Sequence, residues 1–597
     1  MSTYAAPVRD IRFAMHELAG FDELSRLPGF EEAAPDLIDA ILEEAGRFTG
    51  EVLAPLNATG DRQGAQWIDG EVATPPGFRQ AYKAFVEGGW NAIGSPQQFG
   101  GQGMPHLVVA AVKEMLHAAN MSFALCPLLS AGAIHALLLS GSPQLQRAWL
   151  PKMVSGEWTG TMDLTEPQAG SDLALVRTRA EPAPDGSYRI HGQKIFITYG
   201  EHDMADNIVH LVLARLPDAP PGVKGISLFV VPKILLHSDG SLGERNDVRC
   251  VSIEHKLGIH ASPTAALSFG DHGGAIGYLV GEPNRGLEYM FIMMNDARFE
   301  VGVQGLAVSE RAYQQARAYA RERVQGRDAG GGAQPVTIIH HPDVRRMLLL
   351  MKSHIEAMRA LAYVVAAAQD KALHHPDARE RSRNLAFVEL MIPVVKGWST
   401  ENSIEIASLG LQVHGGMGYI EETGASQHLR DARITTIYEG TTGIQANDLV
   451  TRKIARDGGA ALKTLIETIN GTTAELASRD RKKFTGLRES LAAGVQALAT
   501  SANFVVANFS KDPHEVMAGA VPLLKLLGIV AGGWQMARAA LIAERRLREG
   551  TGEAAYYEAR IVVARFFAEH VLSLAPGLAH AVVHGGTSVK VLAEDQF

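Results

Sequence analysis

Between Tyr188 and Thr198 the chain reads YRIHGQKIFIT, where β-branched and aromatic residues recur among polar ones. That pattern has the two-residue period of a half-buried strand. NIVHLVLARL, GISLFVVPKI, RCVSIEHKLG and TAALSFGD follow in the same idiom, parted by PDAPPG, HSDGSLGERND and HASP, which carry turn chemistry. Residues 156–284 are therefore expected to form an antiparallel β domain. On both sides the period lengthens. Residues 1–155 read mostly as helix, with Leu37, Ile38, Ile41 and Leu42 of PDLIDAILEEAGRF at helical spacing, as are the apolar positions of HLVVAAVKEML. TPPGF and GSPQQFGGQGMP punctuate them as loops.

C-terminal to the β texture, GVQGLAVSERAYQQARAYARER and DVRRMLLLMKSHIEAMRALAYVVAAAQ predict long helices joined by DAGGGAQP. After Asp457, Gly458 and Gly459 the chain continues as helix to its end. The expected fold is mainly α with a central β domain: helical over 1–155, β over 156–284, a helical bundle over 285–457 and a C-terminal helical extension over 458–597. No repeat of solenoid period is evident.

The 597 residues are 46% hydrophobic and 20% charged, which excludes a disordered chain. With 65 acidic against 56 basic residues and a net charge of −9, the chain is not built to coat nucleic acid or an anionic membrane. Cys126 and Cys250 offer neither a disulfide framework nor a zinc quartet, as in a reducing cytosol. The start, MSTYAAPVRDIRF, has no signal-peptide pattern, so the expected location is cytoplasmic. Met115 to Gln146 carries no charged residue and is long enough to span a bilayer. His117, Asn120, Pro127, Gly132, His135 and Gly141 within it favour two buried helices joined near Cys126–Pro127 instead. LLKLLGIVAGGWQMARAALIAERRL, with Lys525 and three glycines, likewise predicts a packed helix, not a membrane span.

No GxGxxG follows a strand, and GxxxxGK[ST], HExxH and CxxC are absent. HHPD at His340–His341 and again at His374–His375 precedes helices, with Asp343 as a helix start; no metal site is expected. Three other segments carry chemistry. In MDLTEPQAGSDL (Met162 to Leu173), Thr165, Ser171 and the amides around Gly170 suit a polar-edged planar ligand or an oxyanion, or form an ordinary polar loop. In GQKIFITYG, strand alternation sends Phe196 and Thr198 to one face, where a ring and a hydroxyl suit a heteroaromatic; the alternative is a core Phe beside a surface Thr. In RITTIYEGTTGIQANDLV, Glu439 has glycine on one side, Ile434–Tyr438 on the other, and a helix beginning near Ile444. It reads as a desolvated general base, or as an acid in the first turn of a helix.

TEPQAGSD, then KIFIT, then Arg298 in NDARFEVGVQGLA, then QVHGGMGY and IYEGTTGIQ, resemble in order and spacing the acyl-CoA dehydrogenase flavoprotein family across about residues 40 to 455. YAAPVRDIRFAMHEL and the helical tail are similar to its large bacterial subgroup, which includes methylthiopropanoyl-CoA dehydrogenases and some long-chain enzymes. The resemblance implies FAD, held at its pyrimidine and pyrophosphate by Leu164, Thr165, Gly170 and Ser171, with Ser171 also near substrate. Phe196 stands where many members have tryptophan, keeping an apolar plane, and Thr198 matches the hydroxyl donor to flavin N5. Thr441 falls beside the cofactor. Arg323 matches the arginine that reaches a neighbouring subunit's FAD, with Gln325 where threonine is common, although the usual Phe-Gly after it is missing. The plain alternative for Arg311, Arg317, Arg321 and Arg323 is a solvated helix face. Gln412, Val413 and Gly416 match the segment on the adenosine half across a dimer interface.

Arg298 and Gly440 match substrate-binding positions, and Glu439 the base that takes the pro-R α-proton while flavin N5 takes hydride from Cβ. The implied product is a trans-2-enoyl-CoA, the implied acceptor an electron-transfer flavoprotein, and the implied assembly a homo-oligomer, at least a dimer. Two alternatives remain: an acyl-CoA oxidase, marked by peroxide on aerobic turnover, and a non-catalytic flavoprotein of this fold that binds nucleic acid, which the acidic charge balance disfavours.

Overall fold

The structure, a computed structural model, describes residues 4–332, 334–479 and 481–597. The chain folds as two compact units: Met1–Gly46, Pro105–Ala118 and Val301–Phe597 make one, Arg47–Met104 and Ala119–Glu300 the other.

The second unit carries the sheet. Its strands are β1 (Trp158–Asp163), β2 (Arg179–Pro182), β3 (Tyr188–Thr198), β4 (Asn207–Arg215), β5 (Ile226–Pro232), β6 (Val248–Ile253), β7 (Thr264–Phe269) and β8 (Ala275–Val280). They lie in the order β6-β7-β3-β8-β5-β4-β1, and β2 pairs with β3 and β4. An antiparallel domain was expected, but the sheet is mixed: β1 runs parallel to β4. The chain leaves β1, crosses back through the β2–β3 hairpin, and enters β4 in its first direction, the longer connection that a parallel pair requires. Every residue of β5, and all of β4 up to Arg215, is buried, so these strands read as continuous apolar runs. Ile190, Ile197, Val212, Phe229, Leu267 and Phe269 form part of the core.

Helix α1 (His106–Ser140) is broken at Asn120 (φ −157°, ψ 91°), not near Cys126–Pro127 as the sequence suggested. Asn120 Oδ1 accepts from Phe123 N at 3.0 Å and so caps the second half. A short amide side chain competing for backbone donors interrupts this helix more effectively than Pro127, which lies inside it. Among the described residues, four helices are by length and composition long and apolar enough to cross a membrane, and in two of them the apolar windows are 78% and 89% buried within the protein.

The first unit is helical: α2 (Gly286–Glu322, from Val301 onward), α3 (Pro342–His374), α4 (Ala378–His414), α5 (Ala425–Thr435), α6 (Thr442–Asp448), α7 (Ala460–Ala477), α8 (Arg481–Asn508), α9 (Ala520–Glu549) and α10 (Ala554–His570). The C-terminal extension packs into the bundle through α9, which lies on α3 and α4. Gly528 and Gly532, one turn apart on α9, admit the buried Trp398 of α4; a Cβ at Gly528 would stand 2.3 Å from its Cγ. Charge is buried here in neutralising sets. Arg359 donates to Glu114 at 2.6 Å and to Glu310 at 2.8 Å, and the Tyr363 hydroxyl donates to Glu114 at 2.6 Å. The N-terminal arm is tied to the extension by Arg9–Glu553 at 2.7 Å, by Asp10 with Arg560, and by Glu17 with Arg546.

Candidate active site

In the sheet unit, β3 does not alternate straight through. Lys194 pairs with Leu267 and Ile197 with Ala265, so Ile195 and Phe196 share one opposing residue in a β-bulge. Unbulged, Phe196 would share the buried face of Ile190 and Lys194. With the extra residue, Ile197 is buried and Phe196 turns outward, 58% exposed with a left-handed φ of 60°; Thr198, on its face, is half-buried. Phe196 and Thr198 do share a face, but a bulge sets which face it is.

The loop after β1 is pinned to this strand. Thr165 O accepts from Ile195 N at 2.9 Å, and Lys194 Nζ donates to Leu164 O at 3.0 Å and to Glu166 Oε1 at 2.8 Å. Glu166, buried, also accepts from Arg177 N at 2.7 Å and from the Thr178 hydroxyl at 2.6 Å. Burial alone would raise its pKa; the Lys194 ammonium, the Thr178 hydroxyl and the Arg177 amide prevail and hold it at about 2. Glu166 and Ala169 close a tight turn, beyond which Gly170 and Ser171 are exposed, and a Cβ on Gly170 would touch nothing within 4 Å. Leu164, Thr165, Phe196 and Thr198 are thus brought together on one rigid shelf. An outward aromatic face, a hydroxyl and fixed backbone groups fit a flat heteroaromatic with an apolar end and a hydrogen-bonding edge, as an isoalloxazine is. The sequence marks Glu166 and Lys194 only faintly, as an acid and a lysine inside the TEPQAGSD and KIFIT motifs.

In the helical unit, Glu439 lies outside any helix. It sits half-buried in the turn between α5 and α6 with φ 56°, among six non-glycine residues with positive φ in the described chain, of which Phe196 is another. Helix α6 begins at Thr442, earlier than the expected Ile444, with the Thr441 hydroxyl accepting from Ile444 N at 3.3 Å. A first-turn glutamate is therefore excluded. Buried Lys396 donates to Gly440 O at 2.7 Å, and buried Gln445 donates to Glu439 O at 3.1 Å and to Gly440 O at 3.3 Å. The strained turn is over-determined by these anchors, the condition under which such strain persists at working sites. Lys396 and Gln445 were not singled out in the sequence; a lysine inside the apolar helix α4 was the available signal.

The remaining positions disperse. Arg298 is buried on α2, 4% exposed. Arg323 and Gln325 are exposed, and Arg323 follows the end of α2 at the base of the hairpin Val324–Arg327 with Pro335–Thr337, so it is not on a helix face. Arg311 also departs from a solvated face: it is half-buried, its guanidinium 5.6 Å from the Tyr4 ring centre. At the end of α4, Gln412 and Gly416 are exposed and Val413 is buried.

Four family models match the chain: the acyl-CoA dehydrogenase N-terminal domain over residues 36–157, its middle domain over 161–272, its C-terminal domain over 284–454, and an acetyl-CoA dehydrogenase C-terminal-like domain over 463–592. The 3-methylmercaptopropionyl-CoA dehydrogenase of Ruegeria pomeroyi is 51% identical over 96% of both chains. The chain belongs to the acyl-CoA dehydrogenase family. It is an oxidoreductase that uses FAD to dehydrogenate an acyl-CoA thioester. The broad-specificity linear acyl-CoA dehydrogenase FadE5 of Mycobacterium tuberculosis is 37% identical over 96% of both chains. Among solved structures, Caenorhabditis elegans ACDH-11 in complex with C11-CoA aligns with TM-score 0.74 at 20% identity, covering 96% of this chain and 92% of that one. Bacillus anthracis acyl-CoA dehydrogenase complexed with FAD aligns with TM-score 0.74 at 19% identity, covering 94% and 90%. These two share the fold of this acyl-CoA dehydrogenase, extension included.

Proposed function

We propose that Glu439 is the base of this acyl-CoA dehydrogenase and that its substrate is a short acyl-CoA, methylthiopropanoyl-CoA foremost. The observation that carries the first part is the left-handed turn at Glu439, fastened by Lys396 and Gln445. A carboxylate held by its own backbone in that way approaches the α-carbon in a fixed direction, and Gly440, with φ 91°, lets Gln445 close on the turn, its Nε2 2.8 Å from where a Cβ would stand. The α-proton passes to a Glu439 carboxylate oxygen while the Glu439 amide donates to the thioester carbonyl, so charge is stabilised as it forms. FAD, when bound, supplies the hydride acceptor at N5. Phe196 would cover the apolar end of the ring system, Thr198 would donate at its polar edge, and the Leu164–Thr165 backbone and Ser171 would hold the pyrimidine and phosphate side.

The substrate reading is supported by the Ruegeria relative, whose name specifies that thioester. A steady-state screen of acyl-CoAs of graded length with an artificial electron acceptor tests it. The expected maximum of kcat/KM is at methylthiopropanoyl-CoA with butanoyl-CoA close behind; turnover confined to long chains would contradict it. Electrons are proposed to leave to an electron-transfer flavoprotein. The proposed assembly is a cytoplasmic homodimer in which Arg323, Gln325 and the Gln412–Gly416 segment complete the partner's FAD site. Two features support that reading: Arg323 is exposed and, among the described residues, no carboxylate pairs with it, and apolar side chains are uncovered beside Gly416, namely Met417 at 50%, Tyr419 at 89% and Ile420 at 45% exposure. Two free, buried cysteines agree with a reducing compartment.

A further inference from the structure

Within the helical unit, α3, α4, α7 and α9 leave a cavity of about 680 Å³ between them, edged by Leu18 and Ala19 of the N-terminal arm. It shares no lining residue with the loop of Glu439, and neither α-proton removal nor flavin binding calls for it. Its size lies within the range of small-molecule sites, roughly 300–1,000 Å³. The walls are apolar at Val364, Ala367 and Ala368 from α3, Phe387 from α4, Leu465 from α7 and Trp534 from α9, while Asn384 and the α7 threonines Thr464, Thr468 and Thr472 add uncharged polar groups. Its ionisable lining is three cations, Lys371, Arg383 and Arg538, against one carboxylate, Glu380.

Arg538 decides what the cavity suits. Its guanidinium donates to Gln535 Oε1 at 2.7 Å and to Leu18 O at 2.8 Å and lies 5.5 Å from the Trp534 ring centre. Among the described residues no carboxylate pairs with it. The most deeply buried arginines of this unit are neutralised, Arg359 by Glu114 and Glu310, and Arg560 by Glu356 and Asp10; Arg538 is half-buried like Arg311, but Arg311 lies against the Tyr4 ring whereas Arg538 lines the cavity. Burial draws the Arg538 pKa below the usual arginine range, and no acid offsets it. A desolvated guanidinium facing apolar space is costly unless an anion meets it, and a carboxylate matches its fork with two hydrogen bonds.

We propose that this cavity binds a medium-chain alkyl carboxylate, its carboxylate on Arg538 and its chain along Val364, Ala367, Phe387 and Leu465. The site stands apart from the catalytic reading and survives or fails without it.

Titration calorimetry of the FAD-loaded enzyme with octanoate tests the proposal, with octylamine as the control of opposite charge. One octanoate is expected to bind per chain, octylamine is not, and acyl-CoA substrate should not displace octanoate. A hydrogen bond to a charged group contributes about 1.5–3 kcal/mol, so Arg538→Gln should weaken octanoate about tenfold or more. Thr468→Trp, on α7 at the cavity lining, should abolish binding by filling the space, and decides the matter alone if Arg538→Gln does not fold. Flavin bleaching by acyl-CoA should stay within about twofold in both variants, because neither touches the reacting groups. No octanoate binding to the parent enzyme, equal binding in both variants, equal binding of octylamine, or displacement by acyl-CoA would overturn it.

Discussion

A lysine and a glutamate fix the shelf proposed to carry the flavin. Lys194 is fully buried, and its ammonium joins Glu166 to the Leu164 carbonyl, so Lys194→Met leaves a buried carboxylate with no cation. Breaking a buried pair in this way costs about 3–5 kcal/mol. FAD should be lost on gel filtration, read as the ratio of flavin to protein absorbance, and adding Glu166→Gln to Lys194→Met should restore part of it. Retention of FAD by Lys194→Met would show that the loop holds itself. The pH dependence follows in sign. Glu166 is held at about 2 against 4.5 unfolded, so its contribution is full above about 4.5 and is lost as pH falls from there towards 2. Flavin release on acidification should fall in that window, and Glu166→Gln should remove that part of the profile. At this scale the sequence was partly legible. Phe196 and Thr198 stood out through strand alternation, and Glu439 through glycine on one side and the apolar run Ile434–Tyr438 on the other. Glu166, Lys194, Lys396 and Gln445 act through backbone carbonyls and a buried carboxylate, partners that no local spacing reveals.

Among the elements, α9 depends on the absence of side chains at two positions. Gly528→Ala would place a methyl 2.3 Å from Trp398 Cγ. Overpacking of that kind costs about 1–3 kcal/mol. Chemical denaturation should show the loss, and Trp398→Leu in the same chain should recover part of it; an unchanged midpoint for Gly528→Ala would mean that Trp398 moves freely. The three glycines of this helix were legible as a sign of packing, while their partner, far back on α4, was not. Helix and strand textures were legible throughout because they follow from periodicity. The parallel β1–β4 pair depends on a long-range crossover, the outward turn of Phe196 on a single bulged residue, and the break in α1 on an amide competing with the backbone at Asn120. Period counting does not register any of the three.

For the whole molecule, four textures along the sequence pack as two units, because the N-terminal arm and the first half of α1 join the C-terminal helices through Asp10, Glu17 and Glu114. That grouping needs ion pairs hundreds of residues apart and was not legible in the sequence. The proposed dimer predicts linked behaviour: Arg323→Ala should sediment as a dimer yet hold FAD more weakly, and dilution that dissociates the parent enzyme should release FAD with it. A fully active, flavin-bound monomer would refute the shared site. The central claim is that this enzyme dehydrogenates an acyl-CoA with Glu439 as base. Anaerobic stopped-flow bleaching of the flavin by methylthiopropanoyl-CoA, in the parent enzyme and in Glu439→Gln, tests it most directly. General-base catalysis contributes ~10²–10⁴-fold, and with hydride transfer coupled to deprotonation the variant should lose at least the upper value while keeping fold, FAD and ligand affinity. Rapid bleaching in Glu439→Gln would contradict the claim.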